Sequence, residues 1–232
     1  MQLLAPSGND PGQGTDPQES GPSTNPSTGT GTNTSQPLSD TVKVVVDSSG
    51  KAAASLNSEH FAKAQHAVDS GRLRFVVHAP ADVKALAVQM PVEQVKAAMD
   101  TGVQSIQVDM GFAVLEVPVS LFAGYGDRNM ITLSAIIVDP ASLPEEIRSK
   151  VGDNTVLDLN LRVGDETISQ FGDLAVEVSI PYLLQSEEQP NQVVIYYFPE
   201  HGTPEVIKNG TYNPASGRVE FNIKHFSKFA AV

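Results

Sequence analysis

Two residue types that can support proton transfer and nucleophilic attack stand together near the end of the sequence, in the tripeptide His225-Phe226-Ser227. Histidine titrates near neutral pH, and a serine hydroxyl becomes a nucleophile when a neighbouring base takes its proton. The chain of 232 residues contains no cysteine, which excludes disulfides, thiolate zinc sites and cysteine nucleophiles. The tripeptide is therefore the one sharp chemical motif in the sequence.

The tripeptide is similar to the cleavage site of autoproteolytic β-sandwich domains, where a histidine, an apolar residue and a serine or threonine precede the last strand. The resemblance implies that His225 is a general base and that the Ser227 hydroxyl attacks the Phe226 carbonyl carbon. The acyl group would move from nitrogen to oxygen, and water would hydrolyse the resulting ester. A strained turn before Ser227 would lower the barrier, and residues 227–232 would remain as a non-covalently held strand.

A structural role explains the same three residues without any reaction. Phe226 would fill the core, and His225 or Ser227 would satisfy backbone groups at a bend into the last strand. The chain also lacks the cysteine pairs that brace the receptor form of the autoproteolytic domains. The structural role is the favoured interpretation, so the chain is not expected to be an enzyme, and any activity would be intramolecular autoproteolysis only.

Other polar residues give no pattern that indicates a metal or a cofactor. His60 and His66 are six positions apart on one predicted helix, which is not the i, i+4 spacing of a metal-binding pair. Four side chains could offer oxygen ligands to calcium: Asp153, Asn154, Asp158 and Asn160. They lack EF-hand spacing, and alternating acids on a strand usually mark its solvated face. No cofactor and no metal ligand are predicted.

The charge balance restricts the classes of partner. With 15 Lys and Arg against 27 Asp and Glu, the net charge is −12, which argues against binding to nucleic acid or to an anionic membrane surface. No apolar run approaches the roughly 20 residues that a membrane-spanning helix needs. Because no pattern in the sequence indicates an interface, a monomer is expected.

Composition divides the chain into a linker and a folded part. Within residues 1–40, 24 of the 40 positions are Gly, Pro, Ser or Thr, so this segment is predicted to be a disordered linker. A linker in this position suggests that another domain is tethered upstream. The folded part is predicted as two subdomains, a strand-helix decorated β subdomain over 41–125 and a β-sandwich subdomain over 126–232.

Short alternating runs separated by turn residues predict an α+β fold that is mainly β, with antiparallel β-sandwich-like sheets and a few short helices. The predicted strands are 44–46, 73–78, 83–90, 106–110, 114–117, 131–138, 156–163, 176–181, 193–198, 219–223 and 229–232. Helices are predicted after Asn57, after Pro91, after Pro118, and from a capping box at Ser142 and Glu145 to Val151. The first three helix starts echo one another, since Pro91 and Pro118 each end a strand and begin a helix, and Leu56-Asn57-Ser58 is a weaker copy. Shared helix-start chemistry without a repeat explains the echo equally well.

The later part of the sequence resembles a module of Firmicutes cell-surface proteins. The resemblance lies in four stretches: 178–182, 193–197, 212–221 and 225–230. It extends more loosely over 41–232. In that family the module is commonly found near S-layer homology repeats, joined by Ser/Thr/Pro-rich linkers. The resemblance implies an extracellular protein associated with the wall of a Gram-positive bacterium, although no S-layer homology repeat is recognisable in this chain.

Three functions follow as hypotheses. The first is a non-enzymatic structural or spacer module of a secreted, cell-wall-associated surface protein, with flanking domains as its partners. The second is a self-cleaving module that cuts between Phe226 and Ser227. The third is a binding module for wall glycan or polysaccharide, for which Tyr197 could join a stacking platform, although the absence of tryptophan weakens this hypothesis.

Overall fold

Most of the folded part is described by a computed structural model. The linker predicted over 1–40 and the last residue of the strand predicted over 73–78, His78, lie outside the described residues. The structure describes residues 42–77, 79–199 and 203–232.

Strands dominate the structure, as the sequence predicts. The described strands are β1 (Val44–Val46), β2 (Lys51–Ser55), β3 (Arg72–Val76), β4 (Ala85–Pro91), β5 (Ser105–Asp109), β6 (Val114–Pro118), β7 (Met130–Ile137), β8 (Val156–Val163), β9 (Glu166–Thr167), β10 (Val176–Pro181), β11 (Ile195–Phe198), β12 (Glu205–Ile207), β13 (Thr211–Asn213), β14 (Arg218–Ile223) and β15 (Lys228–Ala231). The described helices are α1 (Ser58–Gln65), α2 (Val92–Asp100) and α3 (Glu145–Val151), with short 3-10 helices at Val119–Phe122, Pro140–Ser142 and Pro190–Gln192. The prediction of a mainly β fold with a few short helices is confirmed.

The described strands form two sheets. Sheet A has the spatial order β1-β2-β4-β7-β8-β15-β11-β12, with β9 paired to β8, and sheet B has the order β13-β14-β10-β6-β5-β3. Both sheets take strands from either side of residue 126. Most neighbours are antiparallel, but β2 pairs with β4 and β3 pairs with β5 in parallel. Local alternation does not predict these parallel pairs, because they join strands that are distant in sequence.

Three strand-helix-strand units explain the parallel pairs and the echo in the sequence. The units β2-α1-β3 and β4-α2-β5 both run from sheet A through a helix to sheet B, so their strands lie side by side in parallel. The third unit runs in the opposite sense, from β6 in sheet B, through the 3-10 helix Val119–Phe122, to β7 in sheet A. Its strands therefore pair antiparallel with those of the second unit, β6 with β5 and β7 with β4. The three helices therefore lie at the same end of the two sheets.

The first helix begins with a reciprocal cap. The Asn57 side chain accepts a hydrogen bond from the His60 amide at 3.1 Å, and the Asn57 amide donates to His60 Nδ1 at 3.1 Å. Histidine thus takes the part that Glu or Gln plays in the usual capping box. The helix ends at Gln65, and Val68 lies beyond it and is exposed.

The main core lies between the sheets. Inward residues at every second position of the strands are buried, as the pleat requires. Phe61 from α1, Val95 from α2 and Phe122 from the 3-10 helix join this core from the helix-covered end. The void that remains between the sheets measures about 10 Å³, which is at the lower limit for holding one water molecule.

A second, smaller core covers the outer face of sheet A. Leu143 and Val151, which flank and end α3, pack with Val156, Phe198 and Ala230. The predicted capping box at the start of α3 is wrong. Pro144 occupies the N-cap position without a side-chain hydrogen bond, and the Ser142 hydroxyl instead donates to the Asp139 carbonyl within the preceding 3-10 turn.

Candidate functional site

The tripeptide His225-Phe226-Ser227 lies between β14 and β15, directly before the last strand, where the sequence places it. The strand that follows is not at an edge of the sheet. It pairs with β8 on one side and with β11 on the other. The backbone of the tripeptide also contacts a neighbouring loop, since His225 bridges to Gln170 and the Phe226 amide donates to the Ser169 carbonyl at 3.3 Å.

The Ser227 hydroxyl is engaged with the backbone. Ser227 Oγ donates to the Phe198 carbonyl at 2.9 Å, across the pair formed by β11 and β15. The Ser227 carbonyl accepts a hydrogen bond from the Leu159 amide at 2.9 Å. Both bonds continue the sheet ladder, so this serine joins the start of β15 to the strands on either side of it.

The His225 ring packs among aromatic rings. Its centroid lies 4.6 Å from that of Tyr197 and 6.4 Å from that of Phe229. Within the described part of the chain, no hydrogen bond joins His225 to Ser227. Ser70 is the one described residue other than glycine with a positive φ angle, so no left-handed strain is stored at the tripeptide.

Phe226 fills the space that the structural interpretation assigns to it. Its ring is buried and meets the Phe171 ring edge-on at a centroid distance of 4.9 Å. In this arrangement the proton of Ser227 Oγ points to a backbone carbonyl, and a transfer to His225 would require the hydroxyl to rotate away from Phe198. Self-cleavage at this position stays a prediction.

The candidate calcium ligands do not converge. Asp158 forms an ion pair with Lys228 at 3.4 Å and accepts a hydrogen bond from Asn160 Nδ2 at 3.0 Å. Asn154 Nδ2 instead donates to the Val151 carbonyl at 3.1 Å. Among the described residues, no group of three or more His, Asp or Glu side chains is arranged to hold a metal ion.

The aromatic run in β11 is divided between the two cores. Tyr196 and Phe198 face α3, whereas Tyr197 faces the core between the sheets and contacts Phe229 at a centroid distance of 5.7 Å. Lys150 Nζ of α3 lies 5.9 Å from the centre of the Tyr196 ring. Both faces of the run are therefore covered, and Tyr197 does not form an exposed stacking surface.

A polar surface on the outer face of sheet B was not predicted as a site. One ion pair reaches across β5, since Arg72 Nε of β3 lies 2.7 Å from Glu116 Oε2 of β6. The other joins the adjacent strands β3 and β5, where Arg74 Nη2 lies 3.0 Å from Asp109 Oδ2. The Ser105 hydroxyl donates to Glu116 Oε1 at 2.7 Å. The alternating polar residues of these strands are visible in the sequence, but the pairing that brings them together depends on the strand order.

Arg218 anchors the other side of this polar surface. Its Nε and Nη2 atoms donate to the hydroxyl and the carbonyl of Ser179, both at 2.7 Å. Burial lowers the pKa of Arg218, and the charges of Asp109 and Glu220 oppose this shift. Burial and then the charge of Glu116 raise the pKa of Glu177 on the adjacent strand.

The surface forms a shallow open cleft of about 240 Å³. A second open cleft of about 510 Å³ lies on the outer face of sheet A, around Arg128, Thr132 and Arg162. In the cleft on sheet B, Arg74 forms an ion pair with Asp109 and Arg218 is hydrogen-bonded to Ser179. Arg72 Nε is buried, and its ion pair with Glu116 lacks the geometry of a hydrogen bond.

The fold and the packing of the tripeptide define a mainly β protein of two packed sheets, with helices covering one end. No protein-family model matches the chain, and no curated protein sequence or solved structure is detectably similar to it. Within the described residues, every helix is too short or too polar to cross a membrane.

Proposed function

We propose that this chain is a non-enzymatic structural or spacer module of a secreted, cell-wall-associated bacterial surface protein. Its partners in this role are the flanking domains of a larger surface protein. The proposal rests on one geometric observation, which concerns where the first and last strands lie in sheet A. The Ser/Thr/Gly/Pro-rich composition of residues 1–40 supports it, because a segment of that kind provides reach between domains.

The first and last strands run in the same direction and are offset along the sheet. Through the paired strands, Val44 of β1 is level with Leu161 of β8. Ala230 of β15 pairs with Val156, which is five positions before Leu161 in β8. At about 3.3 Å per residue, the start of β1 and the end of β15 are therefore offset by roughly 20 Å parallel to the strands. The helices lie at the end of the sheet where β1 begins.

This arrangement suits a module that carries tension along its length. Because β1 and β15 are five strand spacings apart, about 24 Å, a force applied before β1 and after β15 has components both along and across the strands. The component along the strands loads the ladder hydrogen bonds together in shear, whereas a force purely across the strands breaks them one at a time. Because β15 is held by β8 and by β11, we expect this strand to resist shear strongly.

Single-molecule stretching tests the proposal. The full chain is stretched from its two ends in one experiment. In a second experiment it is stretched between Ser48→Cys and the C-terminal end. Ser48 lies in the exposed turn after β1, and the absence of native cysteine makes the thiol attachment unique. The second geometry pulls the β1-β2 hairpin away from β4 across its hydrogen bonds.

We expect a higher unfolding force in the end-to-end geometry than in the hairpin geometry, because the same bonds are loaded together in one case and in sequence in the other. Forced unfolding reports the unfolding rate, so the comparison is made at equal loading rate. Equal forces in the two geometries would contradict the spacer role. As a control for the substitution, the Ser48→Cys variant is also stretched from its two chain ends, and it should unfold at the same force as the unsubstituted chain.

The self-cleaving alternative has its own test in the intact mass of the denatured protein. Loss of residues 227–232 in the unmodified chain, with retention of full mass in Ser227→Ala and slower loss in His225→Ala, would establish autoproteolysis. Full-length mass after prolonged incubation would exclude unassisted cleavage. Because β15 lies between two strands, the cleaved segment would stay bound under native conditions, so denaturation before the measurement is essential.

The wall-glycan alternative is tested by pull-down with purified wall polysaccharide. The cleft on sheet B is lined by charged and amide side chains, among them Arg74, Gln107 and Glu220, so Arg74→Ala tests this surface. Retention on polysaccharide that this variant abolishes would establish a binding module and overturn a purely structural role.

A further inference from the structure

The first strand forms an exposed edge of sheet A. Strand β1 pairs with β2 on one side, and no described strand lies on its other side. The Asp47 amide donates to the Lys51 carbonyl at 2.8 Å, and this bond shows which residues of β1 direct their backbone groups toward β2. Since backbone groups alternate in direction along a strand, Lys43, Val45 and Asp47 direct theirs to β2. Val44 and Val46 direct their amides and carbonyls outward.

The side chains along this edge are unusually apolar for an exposed strand. Val45 is 62% exposed and Val46 is 43% exposed. Lys43 and Asp47 flank them, and alternation places both charges on the same face of the strand as Val45. Natural proteins protect such edges with very short strands, proline, a bulge or a charge within the strand. Strand β1 is short, but its three residues contain no proline and no charge.

We propose that two copies of this chain pair through their β1 strands, antiparallel and centred on Val45. This register places Val44 opposite Val46 of the second copy, so that their outward amides and carbonyls exchange hydrogen bonds on both sides of the centre. The two Val45 side chains then meet as a non-hydrogen-bonded pair, in which side chains approach most closely. The interface extends sheet A into a continuous sheet across two molecules.

Charge selects this register and direction. Centred on Val45, each Lys43 lies opposite Asp47 of the second copy. Asp47 Oδ1 accepts hydrogen bonds from the Ser49 and Lys51 amides of its own turn, so Oδ2 is the oxygen that forms the two cross-strand ion pairs. A parallel arrangement in register would bring Lys43 against Lys43 and Asp47 against Asp47, and like charges directly opposite one another are destabilising. The segment 43–47 is thus complementary to itself in the antiparallel sense, which identifies a second copy as the occupant.

The contact is small, and it departs from the monomer that the sequence predicts. A pair of three-residue strands covers far less than the roughly 1,200 Å² of a stable interface, so the dimer is weak and fast in exchange. Disulfide cross-linking, which captures a short-lived dimer covalently, therefore detects this dimer better than a size measurement at low protein concentration. The dimer is independent of the spacer role. Disulfide cross-linking tests the dimer, whereas the unfolding force tests the spacer role.

The test uses the full chain with Val45→Cys, in which the introduced thiol is the sole cysteine. A non-hydrogen-bonded antiparallel pair has a Cα separation of about 4.5 Å, within the range that a disulfide spans. Val206→Cys is the matched control, because Val206 is 45% exposed on β12 at the other edge of sheet A. Far-UV circular dichroism verifies that both variants fold.

Under mild oxidation we expect disulfide-linked dimers of Val45→Cys to form at least about tenfold faster than those of Val206→Cys, a ratio that corresponds to about 1.4 kcal/mol of association. Equal rates for the two variants would overturn the proposal. Failure of Val45→Cys to react with a small thiol reagent would also overturn it, because another segment of the same chain would then cover the edge.

A mixed experiment tests the direction of pairing. Lys43→Cys and Asp47→Cys chains, distinguished by mass, are oxidised separately and together. At equal amounts, random pairing gives about twice as much mixed disulfide as either self-linked species, and the antiparallel register predicts a mixed fraction well above that ratio. Predominance of self-linked species would indicate parallel pairing and would overturn the proposed register.

Discussion

The carboxyl of Glu177 on sheet B has a raised pKa because of its burial and of the charges around it. Glu177 lies between Glu116 and Glu220, whose charges add to its desolvation, and Arg72 opposes them in part. All three carboxylates arrive on different strands, so the sequence gives no sign of the crowding. The raised pKa of Glu177 has a direct consequence for stability.

We expect Glu177→Gln to stabilise the protein at neutral pH. A carboxyl whose pKa is raised on folding binds more protons in the folded state, so the free energy of unfolding falls as pH rises from the unfolded value of about 4.3 through the folded value. The side chain stays partly solvated, so the effect is modest. Denaturant unfolding at a series of pH values measures it, and an unchanged pH dependence in Glu177→Gln would refute the assignment. Glu187→Gln, in an exposed loop, is the charge-matched control.

A second residue-scale prediction concerns Tyr182. Its hydroxyl donates to Glu188 Oε1 at 2.6 Å, and Glu188 Oε2 accepts from the Gln185 amide at 3.1 Å. Burial and then the bond to Glu188 raise the pKa of Tyr182 above its ordinary value. We expect Tyr182→Phe to lower the free energy of unfolding by about 2 kcal/mol, as is typical of hydrogen bonds to charged groups.

The same bond should restrain the loop between β10 and β11. Limited proteolysis should therefore cut Tyr182→Phe faster within residues 183–192 than it cuts the unmodified protein. Tyr212→Phe is the matched control, because the Tyr212 ring also packs edge-on against Tyr182 at 6.2 Å but donates no hydrogen bond among those found in the described residues. Equal cleavage of both variants would show that the loop is held by other contacts.

At the scale of elements, turns and helix ends join the two sheets. The turn between β12 and β13 moves the chain from sheet A to sheet B, and Asn209 secures it through bonds with the backbone of Asn222, at 3.0 and 3.1 Å. Gly210 lies at this crossing. A Cβ atom there would overlap Cδ1 of Ile195 in the buried core.

We expect Gly210→Ala to destabilise the protein by about 1–3 kcal/mol, the usual cost of overpacking a core. Thermal unfolding measures the effect. Gly124→Ala is the control, because a Cβ atom at Gly124 would meet no atom within 4 Å and its φ is not positive. If both alanine variants unfold at the same temperature, the close approach of Ile195 is not the reason for glycine at 210.

At the scale of the whole molecule, the strand order ties distant parts of the sequence together. In sheet B, β6 pairs with β10, and in sheet A, β4 pairs with β7, so contacts in both sheets cross the boundary predicted between 125 and 126. One buried core contains residues from both sides of that position. The predicted division into two subdomains stays a prediction, and unfolding experiments can decide it.

We expect residues 42–232 to unfold in a single cooperative transition. Denaturant curves from far-UV circular dichroism and from native-state hydrogen exchange of β4 and β14 should coincide, because these strands line the same core. Two separate transitions would instead support subdomains that fold independently.

Much of the local structure follows from the sequence. Strand β8 over 156–163 and strand β10 over 176–181 have the bounds that alternation predicts, and Gly102 follows α2 with a positive φ angle, as a glycine at that position should. The position of His225-Phe226-Ser227 before the last strand is also predicted correctly. These features depend on side-chain period and on turn chemistry, both of which are local.

Tertiary structure alone decided the rest. The parallel pairs, the polar surface of sheet B and the covering of Phe198 by α3 depend on which strands become neighbours, and strand pairing joins residues far apart in the chain. Likewise, the sequence supplies Ser227 with a hydroxyl, but the neighbouring strand β11 presents the Phe198 carbonyl to which that hydroxyl donates. Local pattern determines what each segment can form, and the burial of apolar faces against one another determines which groups meet.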